Sequence, residues 1–299
     1  MGISAGDSRR GSRGPKGLGL ARLVVVGLLV ADLGALVFLP ITPSAAAVRG
    51  TLRQAAVHTL SAGTARLELT VDIKLTGPNL HFAYREVAVG VVDFVGQEMD
   101  LTTQGGSAAG TELRAVNGRV YEKLPAAVLA LRHISTPWVS LPGLVTPTVI
   151  PGGVANGNPA QTIAQLETLS AGTVTGATEA GSSDIRGVRA TQYNLSFNLT
   201  ALRNKSTSLL ASLGLSQPGL EIQYVTQSVW VDAQGLIRRQ QVHSGATEIV
   251  LGRSVSVNGD VTVEPYDFGI PVSVHAPPAG QTTALENLGA LIAPPQPAP

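Results

Sequence analysis

The sequence predicts an α+β protein, mainly antiparallel β: one large curved sheet with a few helices covering its concave face, preceded by one transmembrane helix. Three observations predict it. One apolar run of 19 residues, Leu23–Ile41, follows a basic stretch near the N-terminus. Beyond it, segment after segment alternates apolar with polar residues at period two, as a sheet with one wet face requires. Among 299 residues, 34 Gly and 19 Pro break these segments at turn spacing, and no cysteine can staple them.

Residues 1–22 are polar, basic and rich in Gly and Ser. The first 47 residues hold five cations (Arg9, Arg10, Arg13, Lys16, Arg22) and two anions (Asp7, Asp32); the other 252 hold 16 cations and 18 anions. The body therefore has no positive field for nucleic acid. As a helix, Leu23–Ile41 would be roughly 28 Å long, close to a bilayer core of about 30 Å. Asp32 near its middle costs on the order of 2.5–3.5 kcal/mol, against roughly 4–8 kcal/mol in favour from its Leu, Val, Ile and Phe residues. The span should insert, and the preceding cations keep the N-terminus in the cytoplasm and send the body outside. Two readings compete. A signal anchor over 23–42 is favoured by the length of the run. A cleaved signal peptide, with Ala45-Ala46-Ala47 as its small-residue site, would give a secreted body.

Val48–Leu60 reads as a helix with Leu52, Ala55, Ala56 and Leu60 on one face, ended by Gly63. In Ala65–Thr76 the period becomes two: Leu67, Leu69, Val71, Ile73 and Leu75 alternate with Glu68, Thr70, Asp72 and Lys74. Val87–Phe94 and Met99–Thr103 continue the pattern. Thr111–Val116 and Arg119–Lys123 flank Asn117-Gly118, a strong signal for a two-residue hairpin turn. Pro125–Arg132 reads as a short helix, and Trp138 follows in a strand. Residues 142–160 read as a loop. Ala160–Leu169 and Thr200–Leu213 read as amphipathic helices. Thr173–Glu179, Val188–Leu199, Glu221–Val231 and Leu236–His243 read as strands. Ile249–Val257 and Val261–Tyr266 are expected to pair across Asn258-Gly259, with a last strand at Val272–His275. Residues 277–299, rich in proline, read as a disordered tail.

Motifs for chemistry are weak. His58, His81, His133, His243 and His275 are widely spaced, so no local zinc motif exists. No G-x-S-x-G is present. Asp93, Glu98 and Asp100 cluster on strands where charges on a wet face are expected. Neither Gly105-Gly106 nor Gly152-Gly153 has the context of a phosphate loop. No catalytic residue, metal or cofactor is expected, and the chain is read as a non-enzyme. Trp138 and Trp230 read either as ligand platforms or, more simply, as core anchors.

Four stretches carry a family resemblance: A-G-T-A-R-L-E-L-T-V (Ala62–Val71); V-Y-E-K-L-P with P-W-V downstream (Val120–Pro125, Pro137–Val139); S-V-W-V-D-A-Q-G-L-I-R-R (Ser228–Arg239); and Y-D-F-G-I-P-V-S-V-H-A-P-P (Tyr266–Pro278). In order and spacing, the body resembles the actinobacterial LppX/LprAFG lipoproteins, which share a half-barrel fold with the lipoprotein carrier LolA. The resemblance implies a curved sheet wrapped around an apolar cavity that holds lipid or lipoglycan. The family's lipobox cysteine is missing, so a membrane helix would replace the acyl anchor.

The expected organisation is a cytoplasmic tail (1–22), a membrane helix (23–42), an extracytoplasmic β domain (48–276) and the tail (277–299). The expected function is a membrane-anchored binding protein that handles envelope lipids. The alternative is a non-catalytic envelope structural or interaction protein with a filled core and a membrane-protein partner. Residues expected to line a cavity are Leu67, Leu69, Val71, Ile73, Ile163, Leu166, Leu202, Leu209 and Trp230.

Overall fold

The computed structural model describes residues 43–78, 80–104, 109–126, 129–130, 133–142, 163, 173–201, 220–250 and 253–285. The chain divides into two units, Met1–Ile41 and Thr42–Pro299, and all described residues lie in the second. No helix among them is long and apolar enough to cross a membrane; the apolar run 23–41 lies outside them.

Among the described residues, helix α1 (Ala45–Ser61) precedes a single sheet of twelve strands: β1 (Thr64–Gly77), β2 (Leu80–Asp93), β3 (Glu98–Thr103), β4 (Glu112–Val116), β5 (Arg119–Lys123), β6 (Trp138–Pro142), β7 (Val174–Ile185), β8 (Val188–Phe197), β9 (Leu220–Asp232), β10 (Ile237–Val250), β11 (Arg253–Tyr266) and β12 (Thr282–Ala284). Their spatial order is β12-β6-β5-β4-β3-β2-β1-β11-β10-β9-β8-β7. The sheet is thus two meanders, β1–β6 and β7–β11, fused where β11 lies antiparallel to β1 from Arg66↔Tyr266 to Thr76↔Ser256. Every pairing is antiparallel except β12 with β6.

Alternation sorts the side chains onto two faces. Ala65, Leu67, Leu69 and Val71 of β1 point to the inner face, with Ala88 and Val92, Met99 and Leu101, Leu113 and Ala115, Val120, Leu195, Val229 and Val263 from other strands. All belong to one buried cluster, into which α1 inserts Val48, Leu52, Ala55 and Ala56. Ser44 caps α1 by accepting a bond from Ala47 N at 3.2 Å, and the helix packs against β7, β9 and β10. Its C-terminal turn is fixed to the β9–β10 hairpin: Ile237 N donates to buried Thr59 Oγ1 at 2.9 Å. The hairpin turn is closed by Asp232, whose Oδ1 accepts Gln234 N and Leu236 N and whose Oδ2 accepts Arg238 Nε.

Three expectations fail here. Asn258-Gly259 is not a turn. Both residues lie inside β11, with Gly259 facing Ile73 on one side and Ser244 on the other. The first of the two expected strands begins in β10, at Ile249 and Val250; the rest of it and the second form one 14-residue strand, where long-range pairing on both flanks overrides a local turn preference. Val272–His275 forms no strand. This segment leaves β11, where Gly269 N bonds Thr64 O, and reaches Arg114 of β4, whose Nη1 donates to His275 O at 3.3 Å. Residues 277–299 are not wholly a disordered tail, because Thr282–Ala284 forms β12 along β6. Of the two later helices, Ile163 and the start of the second, near residues 199–201, fall among the described residues, and both are helical there.

Gly90 is a position the sheet cannot fill. A Cβ there would lie 1.8 Å from Asp100 O and 2.9 Å from Leu101 Cα on β3. A Cβ at Gly259 would meet only Ser244 Oγ, at 3.5 Å. Gly90→Ala should therefore destabilise the protein by about 2–3 kcal/mol. Gly259→Ala should change stability little, whereas a primed turn would resist a side chain there. Urea unfolding followed by tryptophan fluorescence measures both.

Candidate functional site

The candidate site is the inner face of the sheet, built on the long strands β1, β2 and β11. Beside α1 this face is dry: Leu67 is 0% and Val71 2% exposed. Farther along the same strands it opens. Ile73 and Leu75 are only partly buried, and Leu80 and Phe82, which pair with Gly77 and Leu75, are 37% and 46% exposed. The apolar face therefore runs on past the part that is sealed.

Of the residues expected to line a cavity, Leu67, Leu69, Val71 and Ile163 lie in the main buried cluster and Ile73 packs against it. Leu166, Leu202 and Leu209 lie outside the described residues. Trp230 does not join them. It packs with Ile185 and Ala190 in a separate cluster, because it alternates with Val229 and Val231 and so points to the outer face. Trp138 also faces outward, opposite Lys123 in register. Each indole lies beneath a guanidinium: Arg114 sits 4.8 Å from Trp138 and Arg239 5.4 Å from Trp230. Both are buried anchors of the outer layer.

Among the described residues, two buried acids interrupt the apolar inner face. Glu86 (4% exposed) accepts from Thr103 Oγ1 at 2.8 Å and from Tyr84 Oη. Glu122 (2% exposed) faces Leu113 on β4 and Val139 on β6, and its Oε1 has no hydrogen-bond partner. Burial, and secondarily the charge of Glu86, push the Glu122 carboxyl up to about 7. Burial also raises Glu86, opposed by the Thr103 hydrogen bond. The two acids stand three strands apart, Glu86 on β2 and Glu122 on β5. Reading the sequence missed both acids. The signal for Glu122 was its place between Val120 and Leu124 on the apolar side of an alternating strand.

The outer face is polar and paired. Arg186 bridges Glu68 and Glu264, and Arg239 also reaches Glu264. Asp100 pairs with Arg114 at 3.1 Å, while Asp93 caps the β2–β3 turn through Val95 N and Gly96 N. His243 Nδ1 lies 2.7 Å from Asp260 Oδ1 and its Nε2 3.1 Å from Tyr224 Oη, which donates to Asn258 Oδ1. That row fills its own hydrogen bonds and stands on the open outer surface. Among the described residues no group of three His, Cys, Asp or Glu is placed to hold a metal ion. An open hollow of about 540 Å³ lies on the side of α1 turned from the core, against Arg53, Gln54, Val57 and His58.

No family model and no curated protein matches the chain. Among solved structures it is similar to the lipoprotein LppX of Mycobacterium tuberculosis (13% identity, TM-score 0.45, covering 77% of this chain and 99% of that one). It is also similar to LprF of Mycobacterium bovis (12%, TM-score 0.38, 79% and 99%) and to a LolA superfamily protein of Nitrosomonas europaea (12%, TM-score 0.30, 76% and 95%). These neighbours include the family that the sequence resembles. At such values they carry no ligand, partner or activity over to this chain.

The Glu122 carboxyl gives stability a pH dependence of definite sign. Its pKa is raised in the fold from 4.5 to about 7. Folding therefore favours the protonated form, and stability is fully present below the unfolded value. It falls as pH rises through the window, by roughly 3 kcal/mol once pH exceeds the folded value. Glu122→Gln should remove most of this slope and leave the variant the more stable protein at pH 8. Thermal unfolding between pH 4.5 and 8.5 measures it.

Proposed function

We propose that the chain is a membrane-anchored, extracytoplasmic binding protein that holds a lipid or other apolar ligand against the concave face of its sheet and takes part in envelope lipid handling without catalysis. The carrying observation is the inner face itself. It continues as hydrocarbon beyond its sealed part and there shows Ile73, Leu75, Leu80 and Phe82 partly or largely exposed. Contiguous exposed apolar surface of this kind marks an interaction site, and an acyl chain matches it, since the polar groups beside it, Tyr84 Oη and Glu86, are bonded to each other.

Anchoring is supported by the apolar run 23–41 and the cations before it. Retention of that segment is supported by α1. Cleavage after Ala47 would remove the Ser44 cap and the first helical residues Ala45–Ala47. The lost cap alone costs about 1 kcal/mol.

Native mass spectrometry of the full chain, extracted from its own membranes, tests the reading. A bound mass releasable by organic solvent is expected. Phe82→Ser with Leu80→Ser should reduce its occupancy several-fold. A ligand-free protein that crosslinks in cells to a stoichiometric protein partner would favour the structural or interaction role instead.

A further inference from the structure

Two hairpins end side by side at one end of the sheet. β1 ends at Gly77 and β2 begins at Leu80; β10 ends at Val250 and β11 begins at Arg253. The two ends touch, because β1 pairs with β11 as far as Thr76↔Ser256, and a Cβ on Gly77 would lie 3.2 Å from Val255 Cγ2 and 3.4 Å from Ser254 O. Apolar side chains are exposed here on both faces. Leu80 and Phe82 share the inner face with their register partners Gly77 and Leu75. Ile249 is 64% exposed and belongs to the outer face, since its partner Ser254 alternates with the buried Val255. Elsewhere among the described residues, exposed large aliphatic side chains stand singly: Val57 on α1, and Val95 in the β2–β3 turn at the opposite end.

A ligand lying on the inner face would cover Leu80 and Phe82 and leave Ile249 in water. Hydrocarbon on both faces of one end calls for a medium that surrounds that end, and the interfacial zone of a bilayer is such a medium. The charges of the β1–β2 hairpin agree. Lys74, His81 and Arg85 alternate with its apolar residues and point to the outer face, and Asp72, the acid among residues 72–85, pairs with Arg85 at 3.7 Å. Two further acids, Glu221 and Glu248, stand across the end on β9 and β10. Cations beside exposed apolar residues favour anionic head groups. A bilayer is at hand, since three residues, Thr42–Ser44, separate the apolar run 23–41 from α1. Resting on the anchored binding role above, we propose that this end of the sheet, with Leu80 and Phe82 on one face and Ile249 on the other, enters the interfacial zone of an anionic bilayer. The open end of the inner face then meets the membrane, and an apolar ligand passes between the two without crossing water.

The chain has no cysteine, so single introduced cysteines can carry a nitrobenzoxadiazole dye that reports its surroundings. The full chain is reconstituted in nanodiscs of phosphatidylcholine and phosphatidylglycerol that carry a nitroxide-labelled lipid. Labels at Leu80→Cys and Ile249→Cys should emit at shorter wavelength than one at Val95→Cys and be quenched several-fold more strongly. Adding Ile249→Asp should return the Leu80→Cys label toward water. Protection at Leu80→Cys with Ile249→Cys left wet would overturn the proposal in favour of a lipid ligand on the inner face alone. Equal exposure at all three sites would overturn it too, as would a Val95→Cys label quenched like the others or a Leu80→Cys label unmoved by Ile249→Asp. If Ile249→Cys does not fold, Ser254→Cys, exposed beside it on the outer face, takes its place. Native mass spectrometry of the unlabelled chain reports bound lipid separately, so the binding role fails only on that readout.

Discussion

The pairing of β1 with β11 joins residues nearly two hundred positions apart, and everything else in the sheet hangs from it. Each meander on its own is a run of neighbouring hairpins. Only the register Leu69↔Val263 and Val71↔Val261 turns the two apolar faces to the same side. A slip by one residue would send Leu67, Leu69 and Val71 outward and bring Glu68, Thr70 and Asp72 into the core. The outer face guards against that slip by its own means. Glu68 and Glu264 lie directly opposite each other, and Arg186 bonds both. The concave apolar face, the seating of α1 and the placement of the buried acids all follow from this one seam.

Most of the sheet was legible because its alternation is strict where one side is dry. β1, β4, β5, β9 and the first half of β10 follow from pattern alone, and the Asn117-Gly118 turn is where local chemistry puts it, with Asn117 at φ 53° and Gly118 at 70°. The errors arise where tertiary context outweighs a local signal. Asn258-Gly259 has the same two letters but two neighbouring strands to satisfy, and it stays extended. β12 was illegible because three residues carry no period, and its pairing is chosen by β6, far away in sequence.

The candidate site shows the same division. The aliphatic positions of β1 could be assigned to the interior because polar residues alternate with them. Trp230 could not, since its neighbours Val229 and Val231 are apolar too and the strand offers no contrast to fix its parity. Glu86 was hidden in the same way, beside Val87 and Val89, in a strand apolar on both faces. A strand whose apolar residues alternate with polar ones announces its orientation; one with apolar residues on both faces does not.

The short parallel contact of β12 with β6 closes the N-terminal meander with nearly the last described residues of the chain. Together with the β1–β11 seam, it means that neither flank of that meander has its neighbour until translation has passed residue 253 and then residue 282. During synthesis the first half of the domain must wait, with open edges, for partners not yet made. Until then the outer edges of β1 and β6 expose unpaired backbone groups that could pair with another chain.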